Sequence, residues 1–261
     1  MINESYKFIT GRVALAACIL PHMPESFRSS GAVIGEITEM RFFLRVDGQE
    51  VPGLICYPVG TDVPLPLVLM QHPGMGSKDD YFVRDIAHQW AKRGWACAGL
   101  DAPLHGERAN HDPMALFRDR EAYPAIRAQF AREVTAAIDA MAEAYPVDLS
   151  RLGFVGYSLG SMLGIPAAAR DGRFKAAAFC LVGEGGLVGP ADGPDSDVSA
   201  LENTAVLVVG KEQDELIPRD ATERLYEALP GKKAIRWLAG GHFEIGPDVV
   251  RAAEEWLLRE L

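Results

Sequence analysis

An α/β fold built on a mostly parallel sheet is predicted by the alternation of strand-like and helix-like segments along most of the chain. Largely apolar runs such as Leu65–Gln71 are typical of strands that are covered on both faces. Helical stretches follow most of these runs at the spacing of βαβ units. The length of 261 residues and a hydrophobic content of 48% suit one large domain.

The elements can be assigned in order from local patterns. An opening hairpin is indicated by two β-rich runs that flank a turn containing Asp47 and Gly48. The expected strands are 37–46, 51–59, 65–71, 95–100, 151–155, 175–182, 204–209 and 234–238. The expected helices are 80–93, 126–141, 159–169, 219–229 and 248–261. Helices are therefore expected on both faces of the sheet.

Three segments fall outside this pattern. Residues 1–35 are expected to form an N-terminal helical arm or cover, and 36–261 the main domain. The ranges 102–121 and 183–200 are rich in charge, proline or glycine, and are expected to be loop insertions.

The N-terminus is expected to lack a secretory signal. Leu15-Ala16-Ala17-Cys18 resembles a lipoprotein cleavage box, but the apolar stretch before it is shorter than the ~7–15 residues of a signal-peptide core. Glu4 also lies where basic residues are expected. No run reaches the ~20 apolar residues of a membrane span. These features favour a cytoplasmic protein.

The net charge and the cysteine content limit the kinds of binding partner that are expected. A formal net charge of −10 disfavours nucleic acid and anionic membranes. No pair of cysteines has metal-ligand spacing, so they are expected to be reduced, buried side chains without a metal. The four cysteines are Cys18, Cys56, Cys97 and Cys180. Composition slightly favours a monomer or a homodimer.

The pentapeptide Gly156-Tyr157-Ser158-Leu159-Gly160 is the strongest chemical signal. It follows an expected strand and opens an expected helix, which is the setting of a nucleophile elbow. The turn is so tight that a Cβ at either glycine would strike a neighbour, and the serine backbone is strained. The alternative is an ordinary turn with a capping serine. Ser158 is therefore the candidate nucleophile.

A serine nucleophile needs a base and an acid that orients the base. Of the six histidines only His242 follows Ser158, in a glycine-rich loop after an expected strand. Asp214, four residues beyond Gly210, is the preferred acid. Glu212 and Glu215 of the same loop are rivals, and the poorer candidates are Asp192, Asp195 and Asp197.

An oxyanion hole is expected from two backbone N–H groups. One belongs to Leu159, the residue after the nucleophile, and the other to the loop after Leu65–Gln71. Pro73 in that loop has no N–H. Gly74 is the preferred second donor and Met75 the alternative.

From residue 36 onward the chain resembles the α/β-hydrolase superfamily, and within it the dienelactone-hydrolase-like serine esterases. The segment His72-Pro-Gly-Met-Gly-Ser-Lys78 resembles their His-Gly-x-Gly-Gly-Ser-Lys loop, and Asp101-Ala-Pro-Leu-His-Gly-Glu-Arg108 resembles the segment after the next strand. The resemblance implies an eight-stranded, mostly parallel sheet, and loop-bracing roles for His72 and His105. Two departures are Ser158, where dienelactone hydrolases proper have cysteine, and Pro73, where glycine is usual.

The resemblance and the residues imply a serine hydrolase that acts through an acyl-enzyme, with no cofactor and a small-molecule ester as substrate. Short-chain carboxylic esters are expected, because neither 102–121 nor 183–200 is long enough for a large lid domain. Activity should rise with pH as the His242 base loses its proton. Alternatives on the same three residues are a peptidase, a thioesterase, a lactonase or a C–C hydrolase. A different class is a catalytically silent hydrolase fold that binds a ligand. His111 is a further candidate for the entrance to the site.

Overall fold

The computed structural model describes residues 26–109, 112, 115–119, 121–185 and 194–261. The strands are β1 Phe27–Ile34, β2 Ile37–Val46, β3 Gln49–Pro58, β4 Leu65–Gln71, β5 Ala96–Leu100, β6 Val147–Tyr157, β7 Ala176–Cys180, β8 Ala205–Lys211 and β9 Lys233–Leu238. The helices are α1 Ile86–Ala91, α2 Ala115–Arg118, α3 Tyr123–Ala144, α4 Leu159–Asp171, α5 Arg219–Ala228 and α6 Pro247–Glu260.

Within the described residues, the strands form one nine-stranded sheet in the order β1-β2-β3-β5-β4-β6-β7-β8-β9. The strands from β4 to β9 run parallel, and β1, β2 and β3 add an antiparallel edge. The parallel sheet predicted from the sequence is confirmed, with nine strands instead of eight.

The ninth strand, β1, lies in the range expected to be a helical arm. Phe27–Ile34 pairs with β2 along its whole length, through a turn in which Gly35 has a φ of 62°. Its side chains are mostly half-buried or exposed, so the segment lacks the apolar run that marks the central strands. The other residues of the expected arm, 1–25, lie outside the described residues.

Helices cover both faces of the sheet. On one face, α3, α4 and α5 pack through buried side chains such as Phe130, Met162 and Leu225. On the other face, α1 and α6 pack through Trp90 and Trp256. Strand β4 is buried at every position, because it is central and covered from both sides.

The helix expected over 80–93 begins instead with a π-helical turn, Tyr81–Asp85, and continues as α1. The two expected loop insertions contain short helical turns as well, namely α2 and the 3₁₀ turns Gly106–Arg108 and Pro194–Leu201. Residues 186–193 and His111 lie outside the described residues. No helix in the described ranges is both long and apolar enough to span a bilayer.

The carboxyl ends of the parallel strands meet at one edge of the sheet, where α/β proteins place their sites. Ser158 follows β6, Asp214 follows β8 and His242 follows β9. The glycine-rich loop that starts at His72 follows the neighbouring strand β4. Topology therefore gathers every predicted site residue at this edge.

Candidate active site

The backbone of Ser158 has a conformation that few residues other than glycine adopt. Its φ is 51° and its ψ is −110°, directly between the end of β6 and the start of α4. A Cβ at Gly156 would lie 2.5 Å from the carbonyl oxygen of Gly160, and a Cβ at Gly160 would overlap the carbonyl oxygen of Gln71. The two glycines thus permit the sharp turn, which stores strain at Ser158.

Hydrogen bonds to β7 hold this elbow in place. The backbone N–H of Ser158 donates to the carbonyl oxygen of Cys180 at 2.8 Å. The buried hydroxyl of Ser161 lies 2.7 Å from the carbonyl oxygen of Gly156 and 2.9 Å from that of Cys180, and it accepts from the Cys180 N–H at 2.9 Å. The strained serine is therefore anchored by the neighbouring strand.

Three predicted side chains meet at the sheet edge. The hydroxyl oxygen of Ser158 lies 2.8 Å from Nε2 of His242. Nδ1 of the same imidazole lies 3.0 and 2.9 Å from the two carboxylate oxygens of Asp214. Ser158 and His242 are buried, and the Asp214 side chain is only 4% exposed. The serine, the imidazole and the carboxylate thus form a continuous hydrogen-bonded chain.

The ionisation state of Asp214 determines which groups donate and which accept in this series of hydrogen bonds. Burial alone would raise the pKa of the carboxyl group, but hydrogen bonds from His242 and from the N–H groups of Ile217 and Leu216 lower it below its ordinary value. An ionised carboxylate only accepts, so Nδ1 carries the imidazole proton. Nε2 is then left with its lone pair directed at the Ser158 hydroxyl.

The rival carboxylates lie elsewhere. Glu212 is exposed, and the described partner of its carboxylate is the Gln213 amide at 3.5 Å. Glu215 accepts from the backbone N–H of His242 at 2.7 Å and does not bond to the ring. Asp192 lies outside the described residues, as do the side chains of Asp195 and Asp197.

The predicted oxyanion donors lie at the start of α4 and in the loop after β4, the strand that neighbours β6. Leu159 is the first residue of α4, where a helix leaves its N–H groups unpaired. The N–H of Gly76 donates to the carbonyl oxygen of Pro73 at 3.1 Å and closes a turn that contains Gly74 and Met75. Met75 has a φ of 64°, a conformation usually reserved for glycine. Among the described contacts, no acceptor takes the N–H of Gly74 or Met75.

The two motifs that carry the family resemblance bind each other. The ammonium of buried Lys78 lies 3.0 Å from the carboxylate of Asp101 and 2.5 Å from that of Glu107. Asp101 also accepts from the backbone N–H groups of Lys78 at 2.8 Å and Glu107 at 2.9 Å. Burial would lower the pKa of Lys78, but the bond to Glu107 and the charge of Asp101 raise it. The loops after β4 and β5 are therefore joined by an ion pair.

His72 and His105 contribute to the same junction through neutral rings. His72 accepts from the backbone N–H of Ala102 at 3.1 Å and donates to the carbonyl oxygen of Pro73 at 2.7 Å. Burial lowers its pKa to about 4. His105 donates to the carbonyl oxygen of Pro103 at 2.9 Å, and burial lowers its pKa as well. These contacts agree with the expected bracing of the loops.

One cluster of potential metal ligands occurs in the described chain, away from this edge. Donor atoms of Glu39, Cys56 and His88 lie within 4.8 Å of one another. The Glu39 carboxylate already binds Nε of Arg84 at 2.8 Å and the His88 ring at 2.7 Å, with Arg41 at 3.5 Å. Burial raises the pKa of the Cys56 thiol to about 12. Two guanidinium groups and a protonated thiol disfavour a divalent cation, so the cluster is an ion-pair network.

Sequence reasoning missed several contacts that hold the loops. Glu133 on α3 is fully buried and binds Arg108 through two bonds of 2.7 and 2.8 Å. The bonds of the Ser161 hydroxyl are another example, although Ser161 lies only three residues after Ser158. A glutamate beside the apolar stripe of α3 is the signal that points to Glu133, because a buried charge needs a partner.

Comparison with known proteins identifies the family and the fold. A model of the dienelactone hydrolase family matches residues 51–237. A cold-adapted esterase from an Arctic intertidal metagenomic library superimposes with a TM-score of 0.73 and 26% identity, covering 88% of this chain and 97% of that one. No curated protein shows significant sequence similarity to the chain.

Two further solved structures show the same fold at lower identity. An acetyl xylan esterase from Paenibacillus sp. R4 superimposes with a TM-score of 0.76 and 21% identity, covering 92% of this chain and 90% of that one. A putative dienelactone hydrolase from Klebsiella pneumoniae subsp. pneumoniae MGH 78578 has a TM-score of 0.63 and 21% identity, with 89% and 99% covered.

Proposed function

Because the chain belongs to the dienelactone hydrolase family, we propose that it is a serine hydrolase that cleaves short-chain carboxylic esters through an acyl-enzyme. The observation that carries the proposal is the hydrogen-bonded chain from Asp214 through His242 to Ser158. Serine in place of the cysteine of dienelactone hydrolases proper favours a carboxylesterase within the family.

In the proposed mechanism, Ser158 attacks the ester carbonyl while Nε2 of His242 accepts its proton. Asp214 holds the imidazole in the required tautomer and stabilises the imidazolium that forms. His242 then donates the proton to the leaving alcohol. Water repeats the sequence on the acyl-enzyme and releases the acid.

The tetrahedral oxyanion is proposed to accept from the N–H of Leu159 and from that of Gly74 or Met75. The support is that these N–H groups lie at the helix start and in the adjacent turn without described acceptors. The loss of one such donor typically costs ~10²–10³-fold in kcat. The positive φ of Met75 is strain of the kind that proteins keep at functional loops.

Short-chain esters are proposed as substrates because the two loop insertions are too short to form a lid domain over the site. The insertions 102–121 and 183–200 are the proposed covers, and neither is long enough for a lid domain. A small-molecule ester is therefore the expected partner. We also propose a cytoplasmic location for a monomer or homodimer, which agrees with the free, buried thiols of Cys56, Cys97 and Cys180.

The proposal is tested with p-nitrophenyl esters of increasing acyl length, alongside thioesters and aminoacyl amides, on wild type and Ser158→Ala. The expected result is highest kcat/KM on acetyl or butyryl esters and its loss in Ser158→Ala. A fluorophosphonate should label Ser158. Faster hydrolysis of long-chain esters would contradict the proposed substrate class. An unlabelled serine would favour a silent, ligand-binding protein.

A further inference from the structure

Glu215 is a carboxylate that the proposed mechanism does not use, although it lies against the histidine of the site. Its Oε2 accepts from the backbone N–H of His242 at 2.7 Å. Asp214, the adjacent residue, binds the ring of the same histidine. Two consecutive acidic side chains therefore bind one residue at two different places. Only the bond to Asp214 involves the imidazole ring, which takes part in the proposed proton transfer.

The contact between Glu215 and His242 lies directly against the glycine at position 241. A Cβ at Gly241 would lie 2.5 Å from Oε2 of Glu215, closer than any real contact of that kind. The absence of a side chain at position 241 lets the carboxylate reach the main chain. The glycine before the histidine therefore has a second purpose besides loop flexibility.

The two loops are joined along their length up to this point. The N–H of Glu212 donates to the carbonyl oxygen of Leu238 at 2.8 Å. Gln213 and Gly240 exchange two bonds, one between main chains at 3.1 Å and one from the Gly240 N–H to the Gln213 side chain at 2.8 Å. Beyond Gly240, Glu215 continues the connection to the backbone of His242 itself.

We propose that Glu215 is a positioning residue that fixes the main chain of His242, so that its ring reaches Asp214 and Ser158 together. The inference rests on the proposed function, because positioning matters only if His242 acts as the base. A hydrogen bond to an ionised acceptor is about twice as strong as a neutral one. A displacement of about 1 Å at a reacting group can cost about 10²-fold in rate.

Glu215→Ala, Glu215→Gln and the matched control Glu212→Ala test the proposal. Glu212 is exposed in the same loop, and its only described bond to the histidine loop comes from its backbone. Glu215→Ala should lower kcat about 10–100-fold. Its KM should stay within about threefold of wild type, because substrate binding does not use the imidazole position. Glu215→Gln keeps an oxygen acceptor and should recover kcat to within about fivefold of wild type.

A spectroscopic measurement tests the contact without relying on activity. The His242 amide proton should resonate downfield in wild type, because it donates to a carboxylate. The shift should move upfield in Glu215→Ala and stay unchanged in Glu212→Ala. Wild-type kcat in Glu215→Ala would overturn the proposal. Equal losses of kcat and of melting temperature in the alanine and glutamine variants would overturn it too, since they would indicate general unfolding of the loop.

The Ser158→Ala variant separates this inference from the proposed function. If Ser158→Ala hydrolyses esters as fast as wild type, the proposed function is wrong, whatever Glu215 does. If Ser158→Ala is inactive while Glu215→Ala keeps wild-type kcat, the function stands and the positioning role is wrong.

Discussion

The nucleophile elbow and the pair of loops that carry Asp214 and His242 are held in place by different forces. At the elbow, backbone atoms of Gly156 and Gly160 are packed against neighbours so tightly that a single methyl group would not fit. The acid and histidine loops are instead joined by hydrogen bonds, two of which are accepted by the exposed side chains of Gln213 and Glu215. The elbow therefore depends on close packing in addition to its hydrogen bonds, whereas the other half depends on hydrogen bonds.

Because of this difference, substitutions in the two halves of the site should affect stability and reaction rate differently. Buried packing tolerates little added volume, since protein interiors are close-packed. Surface hydrogen bonds tolerate volume, but they fail when a donor or acceptor is removed. Substitutions at the elbow should therefore change stability and rate together. Substitutions in the acid and histidine loops should change the rate more than the stability.

The largest losses of kcat are expected from substitutions of Ser158 and His242. One residue lies in each half of the site, and the proposed reaction needs both. Ser158→Ala and His242→Ala should each lower kcat by about 10⁵–10⁶-fold. The double variant should be no slower than either single variant, since the two residues act as one unit. Steady-state kinetics with p-nitrophenyl acetate measure this. Additive losses in the double variant would contradict a shared proton-transfer step.

Asp214→Asn tests the polar half and should lower kcat about 10³–10⁴-fold. The amide cannot enforce the tautomer that leaves Nε2 free for Ser158. The melting temperature at neutral pH should change much less than in an elbow variant. Asp220→Asn, an exposed position at the start of α5, is the control and should keep wild-type kcat. A loss below tenfold would indicate that another group orients His242.

The same variant carries a pH signature in stability. The pKa of Asp214 is lowered in the folded protein, so its ionised form stabilises the fold above the unfolded pKa of about 3.9. That contribution is lost as the pH falls through the lower, folded pKa. Asp214→Asn lacks this group, so its melting temperature should fall less steeply than that of wild type below about pH 4. Parallel curves would contradict the lowered pKa.

Gly160→Ala tests the packed half, and its expected effect on rate is smaller. The new methyl group would overlap the carbonyl oxygen of Gln71, so β4 and α4 must separate. We expect kcat to fall about 10²-fold and the free energy of unfolding to fall by about 1–3 kcal/mol. Gly48→Ala, in an open hairpin turn, should cost only about 1 kcal/mol and leave kcat unchanged. Equal behaviour of the two variants would contradict steric control at the elbow.

The two halves of the site also differ in which of their residues can be predicted from the sequence. Ser158 could be identified because the glycines that shape its turn are its immediate neighbours. Asp214 and His242 could be identified as candidates because parallel strands deliver their carboxyl ends to one edge. The role of Glu215 could not, because a bond to the backbone of a residue 27 positions away has no local pattern.

The elements of the fold also differ in how well the sequence predicts them. Central strands such as β4 are apolar at nearly every position and were predicted with their observed bounds. Strand β1 was missed, because an edge strand is stabilised mainly by backbone pairing with β2 and shows no continuous apolar run. The buried pair of Arg108 and Glu133 was likewise unpredictable, since its members come from separate elements.

Ser161→Ala gives the smallest expected effect and distinguishes packing from hydrogen bonding within the elbow itself. The substitution removes the hydroxyl bonded to Gly156 and Cys180 and leaves their buried polar groups with fewer partners. We expect a loss of about 1–3 kcal/mol in the free energy of unfolding and a kcat within tenfold of wild type. Ser199→Ala, at an exposed position, should match wild type in both. If Ser161→Ala lowered kcat as far as Gly160→Ala does, hydrogen bonding rather than packing would position the nucleophile.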